Sequence, residues 1–95
     1  MSDTPALDIT ARRLAEGTYS AYAQQASGSI HPQHEQTLLT RLAEAARPAV
    51  ADSPGATVNA LNAALDAFEQ AEPGIRGPRL AAADVATGEV RLATG

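Results

Sequence analysis

Three apolar stripes at helical spacing, each entered through a proline, constrain this chain more than anything else in it. Leu7, Ala11, Leu14, Thr18, Tyr22 and Gln25 form the first stripe, with Ala15 and Ala21 beside it. Leu38, Leu39, Leu42, Ala45, Ala46 and Ala49 form the second. In the third, Val58, Leu61, Leu65, Phe68 and Glu72 follow at steps of three and four, a seam with one polar member at its end. Pro5, Pro32 and Pro54 stand where each rod begins, the position at which a missing N–H costs nothing. Three amphipathic rods joined by short connections predict a small antiparallel three-helix bundle.

Local signals set the expected boundaries. Thr4 before Pro5 reads as an N-cap, with Asp8 as a later alternative and residues 1–3 as a frayed end. Gly17 weakens the first helix by about 1 kcal/mol relative to Ala, in exchange for close packing or a slight bend. Ser27-Gly28-Ser29 ends it, and the second helix starts near His31-Pro32. Pro48 is expected to stop that helix near Ala46, because its ring meets the carbonyl four residues back. Residues 49–52 then read as a packed loop in preference to a kinked last turn. Ser53-Pro54 repeats the cap-then-proline pattern, and a helix over residues 54–71 spans about 27 Å. Asp66, Glu69 and Glu72 crowd the end where the helix dipole disfavours them. Arg76 and Arg79 follow to neutralise them, an exposed pairing expected to add at most about 1 kcal/mol.

The pattern changes after Glu72. Gly74, Gly77 and Pro78 suggest a linker over residues 73–78. Val90-Arg91-Leu92 alternates like a half-buried strand, and Thr87-Gly88 lies between it and Val85. Residues 79–86 and 89–93 therefore read as a β-hairpin. A short fourth helix over residues 80–86 is the rival reading, since Ala81-Ala82-Ala83 is poor strand material. The predicted class is mainly α: a bundle over residues 1–72, a Pro/Gly linker over 73–78, and a C-terminal hairpin or tail over 79–95.

Composition limits what such a bundle can bury. In 95 residues there are 22 Ala but only 17 Leu, Ile, Val and Phe, so the core is thin. The net charge of −4 is too small for that to imply disorder, and an acidic balance disfavours a phosphate-backbone binder. All seven basic residues are Arg, which beside so much Ala reads as the codon bias of a GC-rich bacterial or phage genome. No Cys is present for a disulfide, a thiol nucleophile or a thiolate metal site. Neither a membrane span nor a signal peptide is legible, so a cytoplasmic location is expected.

Catalytic patterns are missing. His31 and His34 share a helix start with Glu35, but a zinc site needs three or four ligands and only Glu35 or Asp3 could assist. Ser20, Ser27, Ser29 and Ser53 lack a nucleophile elbow, and Gly74-Ile75-Arg76-Gly77 is too short for a phosphate loop. No enzyme, metal or cofactor is expected. One motif points elsewhere. Arg41-Leu42-Ala43-Glu44-Ala45-Ala46 followed by Ser53-Pro54-Gly55-Ala56-Thr57-Val58-Asn59-Ala60-Leu61 resembles the helix-turn-helix of the lac-repressor family. That resemblance implies that Thr57, Asn59 and Asn62 would face a DNA major groove. The connection over residues 47–52 is longer than the family's tight turn, and the recognition helix would hold no Arg or Lys.

Recognition of protein by surface is the leading expectation, with a partner or as a homodimer and without a membrane; a helix-turn-helix DNA-binding regulator is the alternative. Tyr19 and Tyr22, three apart on the first helix, are candidate contact residues. The alternative places Tyr22 in the core and Tyr19 at its edge. Arg12 and Arg13 add exposed charge, and the hairpin edge carrying Val90 and Leu92 could extend another sheet.

Overall fold

The computed structural model describes residues 3–28 and 30–93, residues 3–8 in backbone only. Three helices come first: α1 (Asp3–Gln25), α2 (Pro32–Val50) and α3 (Pro54–Ala71). An antiparallel hairpin of β1 (Leu80–Ala83) and β2 (Val90–Leu92) follows. This is the mainly α bundle with a C-terminal hairpin that the stripes predict, and no fourth helix forms over residues 80–86.

The stripes turn inward as their spacing requires. Ala11, Leu14, Ala15, Thr18 and Tyr22 are buried from α1, Leu38, Leu42 and Ala46 from α2, and Leu61, Ala64, Leu65 and Phe68 from α3. Tyr19 of α1 meets Glu35 of α2, and His34 of α2 meets Phe68 and Glu72 of α3, so consecutive helices run antiparallel. Ser53 caps α3 as expected, its Oγ accepting the Ala56 N–H at 3.0 Å.

Several boundaries differ from expectation. Asp3, Thr4 and Pro5 are already helical, so Thr4 is not the cap of α1. Met1 and Ser2, of the supposed frayed end, lie outside the described residues, as do Leu7's side chain in the first stripe, Ser29 of the stop signal and Thr94. Pro48 does not stop α2, which continues to Val50. Pro48 deprives only the Glu44 carbonyl of its helical donor, and only two residues of the helix follow it. The Ala49 carbonyl recovers donors from Asp52 (3.0 Å) and Ser53 (3.1 Å).

Helices α1 and α2 pack together, as do α2 and α3, whereas the backbones of α1 and α3 stay further apart and are bridged by side chains such as Tyr22 and Glu69. The hairpin occupies the gap, with β1 against α3 and β2 against α1. It is therefore a wall of the core rather than an appendage, and Leu80 is only 4% exposed. The segment over residues 73–78 is no loose spacer. Ile75 is buried, and Ser27 and Arg76 exchange backbone hydrogen bonds of 2.6 and 3.2 Å. An extra residue, Ala81, bulges between the pairs Leu80–Leu92 and Ala82–Arg91. Gly88 closes the turn at φ +81°, donating to the Asp84 carbonyl at 2.7 Å.

Candidate functional site

The polar residues most suggestive of chemistry are consumed by structure. Glu69 accepts from the Tyr22 hydroxyl (2.5 Å), the Gly77 N–H (2.8 Å) and two Arg79 nitrogens (2.9 and 3.1 Å). The Arg79 hydrogen bonds above all hold its carboxyl down at about 2. Burial first, and then the Glu69 acceptor, pushes the Tyr22 hydroxyl well above its ordinary value. A carboxylate so depressed is too weak a base for proton abstraction near neutral pH. Arg79 also binds Asp66 at 2.6 Å, so Arg79 rather than Arg76 neutralises this helix end. Since the Glu69 side chain is only 12% exposed, the pair is not the weak surface contact the sequence suggests.

Among the described residues, which do not include the Asp3 side chain, no three His, Asp or Glu side chains are arranged to hold an ion. His31 is exposed at the N-cap of α2 without a side-chain cap bond. The His34 ring packs edge-on against Phe68, with Nε2 3.5 Å from Glu72 Oε2 and a buried, unpartnered Nδ1.

The residues of the helix-turn-helix resemblance are not set out for a groove of DNA. Thr57 is fully buried, its hydroxyl donating to the Ser53 carbonyl at 2.8 Å. The Asn62 amide grips the backbone of Leu80, accepting its N–H at 2.8 Å and donating to its carbonyl at 3.1 Å. Asn59 is exposed. Helices α2 and α3 lie antiparallel instead of crossing as that motif requires.

The expected contact residues separate into three places. Tyr22 is fully buried, which removes it from any surface pair. Its ring belongs to the core because Glu69 satisfies its one polar atom. Tyr19 lies at the core edge and donates to Glu35 at 3.2 Å. Arg12 lines a groove between α1 and α2 with Glu16, Leu39, Ala43 and Glu44.

Arg13, Val90 and Leu92 come together at a second groove, between α1 and β2. Gly17, Ser20, Ala21 and Gln24 form one wall, and Gly88, Glu89, Val90 and Leu92 the other. Its volume is about 400 Å³ and it opens to solvent. Gly17 makes it possible: a Cβ there would sit 3.1 Å from the Gly88 carbonyl oxygen. Arg13 packs over Gly88 at the groove's end. The sequence shows β2 and the small residues of α1, but only the tertiary fold reveals that they face one another.

Compared with known proteins, the chain matches no family model, no curated protein and no solved structure. Among the described residues no helix is long and apolar enough to cross a membrane.

Proposed function

We propose that the chain is a small non-enzymatic protein–protein interaction module: a regulator, inhibitor, adaptor or small structural subunit in the cytoplasm of a bacterium or phage-infected cell. The observation that carries this reading is the unpaired edge of β2 beside an open groove. Affinity capture from native host lysate, with and without nuclease, tests it. A protein partner retained in both conditions is expected, and retention of nucleic acid alone would overturn the reading in favour of DNA binding. Salt-dependent retention on heparin separates the two independently.

The reading includes self-association through the other groove. Exposed Ile9 lies on α1, and Leu39 and Ala43 lie between Arg12, Glu16 and Glu44, a mixture of charges that a second copy can match. Sedimentation at high micromolar concentration should show a mass above one chain; a single-chain mass sinks the homodimer without touching the partner reading.

A further inference from the structure

We propose that the free edge of β2 receives an extended acidic segment of a partner protein as a third strand, laid in the groove against α1. The proposal rests on the reading of the chain as a protein-interaction module. Its first support is hydrogen-bond parity. Asp84 N donates to the Glu89 carbonyl, Ala93 N donates to the Arg79 carbonyl (both 2.8 Å), and Arg91 stands opposite Ala82. Residues 89, 91 and 93 therefore turn their backbone groups toward β1, and Val90 and Leu92 turn theirs away. Among the described residues nothing pairs with the N–H or C=O of either one. At the opposite edge, the Asn62 amide already occupies both backbone groups of Leu80. That edge is therefore capped at Leu80, whereas both outward-facing residues of β2 are open.

Shape supplies the second support. The wall beside that edge presents Gly17, Ser20 and Ala21 ahead of Gln24; α1 meets β2 directly at Gly17, so an added strand would lie alongside β2, over these small residues of the helix. Alternate side chains of that strand would point at these small residues and would be apolar; the others would point to solvent.

Charge selects the partner. The guanidinium groups of Arg91, on the outer face of β2, and Arg13, over Gly88, have no partner among the described residues. Glu89 is the one carboxylate lining the groove. In a chain of net charge −4 this rim carries one net positive charge from Arg13, Glu89 and Arg91, which fits acidic residues opposite Arg91. A second copy fits poorly: the register that uses both Val90 and Leu92 sets Arg91 against its own counterpart, a like-charge pair. The occupant is thus a strand from a different protein.

The test is an NMR titration of the full chain with a blocked eight-residue peptide alternating valine and aspartate. Sub-millimolar binding is expected, with shifted and exchange-protected amides at Val90 and Leu92. N-methylation of one alternate set of peptide nitrogens should abolish binding, whereas the other set should be tolerated. A peptide alternating valine and lysine should bind roughly tenfold more weakly, and Arg13→Glu with Arg91→Glu should reverse that preference. Val90→Pro removes an outward N–H that β1 does not use, so it should lose binding while the hairpin remains. Silence at Val90 and Leu92 with millimolar peptide, or indifference to which nitrogens are methylated, overturns the proposal. If the captured partner still binds Val90→Pro and the Arg13→Glu, Arg91→Glu variant, strand addition is wrong while the module reading stands. If the unaltered chain captures no protein, the module reading itself fails.

Discussion

Glu69 joins α1, α3 and the segment leading into β1 by accepting from Tyr22, Gly77 and Arg79 at once. Its carboxyl is depressed from an ordinary 4.5 to about 2 in the folded chain. A depressed folded pKa means that this stability is fully present above pH 4.5 and is lost as the pH falls toward 2, on the order of 2 kcal/mol in all. Thermal unfolding between pH 7 and pH 2 should show that decline, and Glu69→Gln should flatten it while lowering the melting temperature at pH 7. An unchanged slope in the variant would assign the acid sensitivity to other groups. Gly77 serves the same junction through size. A Cβ there would lie 2.5 Å from Cε1 of the Tyr22 ring, which is fully buried and cannot swing aside. Gly77→Ala should therefore cost about 1–3 kcal/mol by chemical denaturation, the range of an overpacked core. A loss below a few tenths would show that the segment shifts freely.

At the scale of elements, Asn62 does for β1 what a neighbouring strand would do. Its amide gives and takes one hydrogen bond with Leu80, holding the hairpin edge against α3. Asn62→Ala should cost about 1–3 kcal/mol, because it leaves the backbone of a buried residue unpaired. Hydrogen exchange at the Leu80 amide should rise more than at amides in α2; equal acceleration everywhere would mean the hairpin has no separate anchor. Such anchors explain what the sequence conceals. The helices were legible because Leu14, Leu42 and Leu65 repeat at the period of the structure they form. Ser53 announced α3 because capping is a local interaction. Asn62 and Arg79, by contrast, meet their partners only after residues 18 or 10–13 positions apart fold together. Sequence spacing marks Asn62 as equally fit for a solvent face. The candidate groove is half legible: Val90 and Leu92 read as an edge and Gly17 as a place for close packing or a bend, but nothing in the spacing says that Gly17 packs against β2.

The whole molecule is a closed circuit in which α1 meets α2, α2 meets α3, α3 meets β1, and β2 returns to α1. With a radius of gyration of 12.5 Å and dimensions of 40 × 29 × 18 Å, it is thin in one direction. A fold with so few large apolar residues has little stability to spare, so each wall matters. Removing residues 73–95 would take away Ile75 and Leu80 from the core, and Arg79 from Glu69. It would also open the side where α1 and α3 are linked by little more than the Tyr22–Glu69 hydrogen bond. The truncated chain over residues 1–72 should keep much of its far-ultraviolet helical signal, since propensity and the α1–α2 and α2–α3 contacts persist. It should lose its cooperative thermal transition and bind a hydrophobic dye, as chains do when secondary structure outlasts fixed packing. Differential scanning calorimetry distinguishes this from a self-sufficient three-helix bundle. A sharp transition within a few degrees of the full chain's would show that the hairpin merely decorates the helices. Its absence would mean that β1 and β2 close the core while β2 keeps one edge free for a partner, so that a ligand added at that edge should raise the melting temperature of the entire domain.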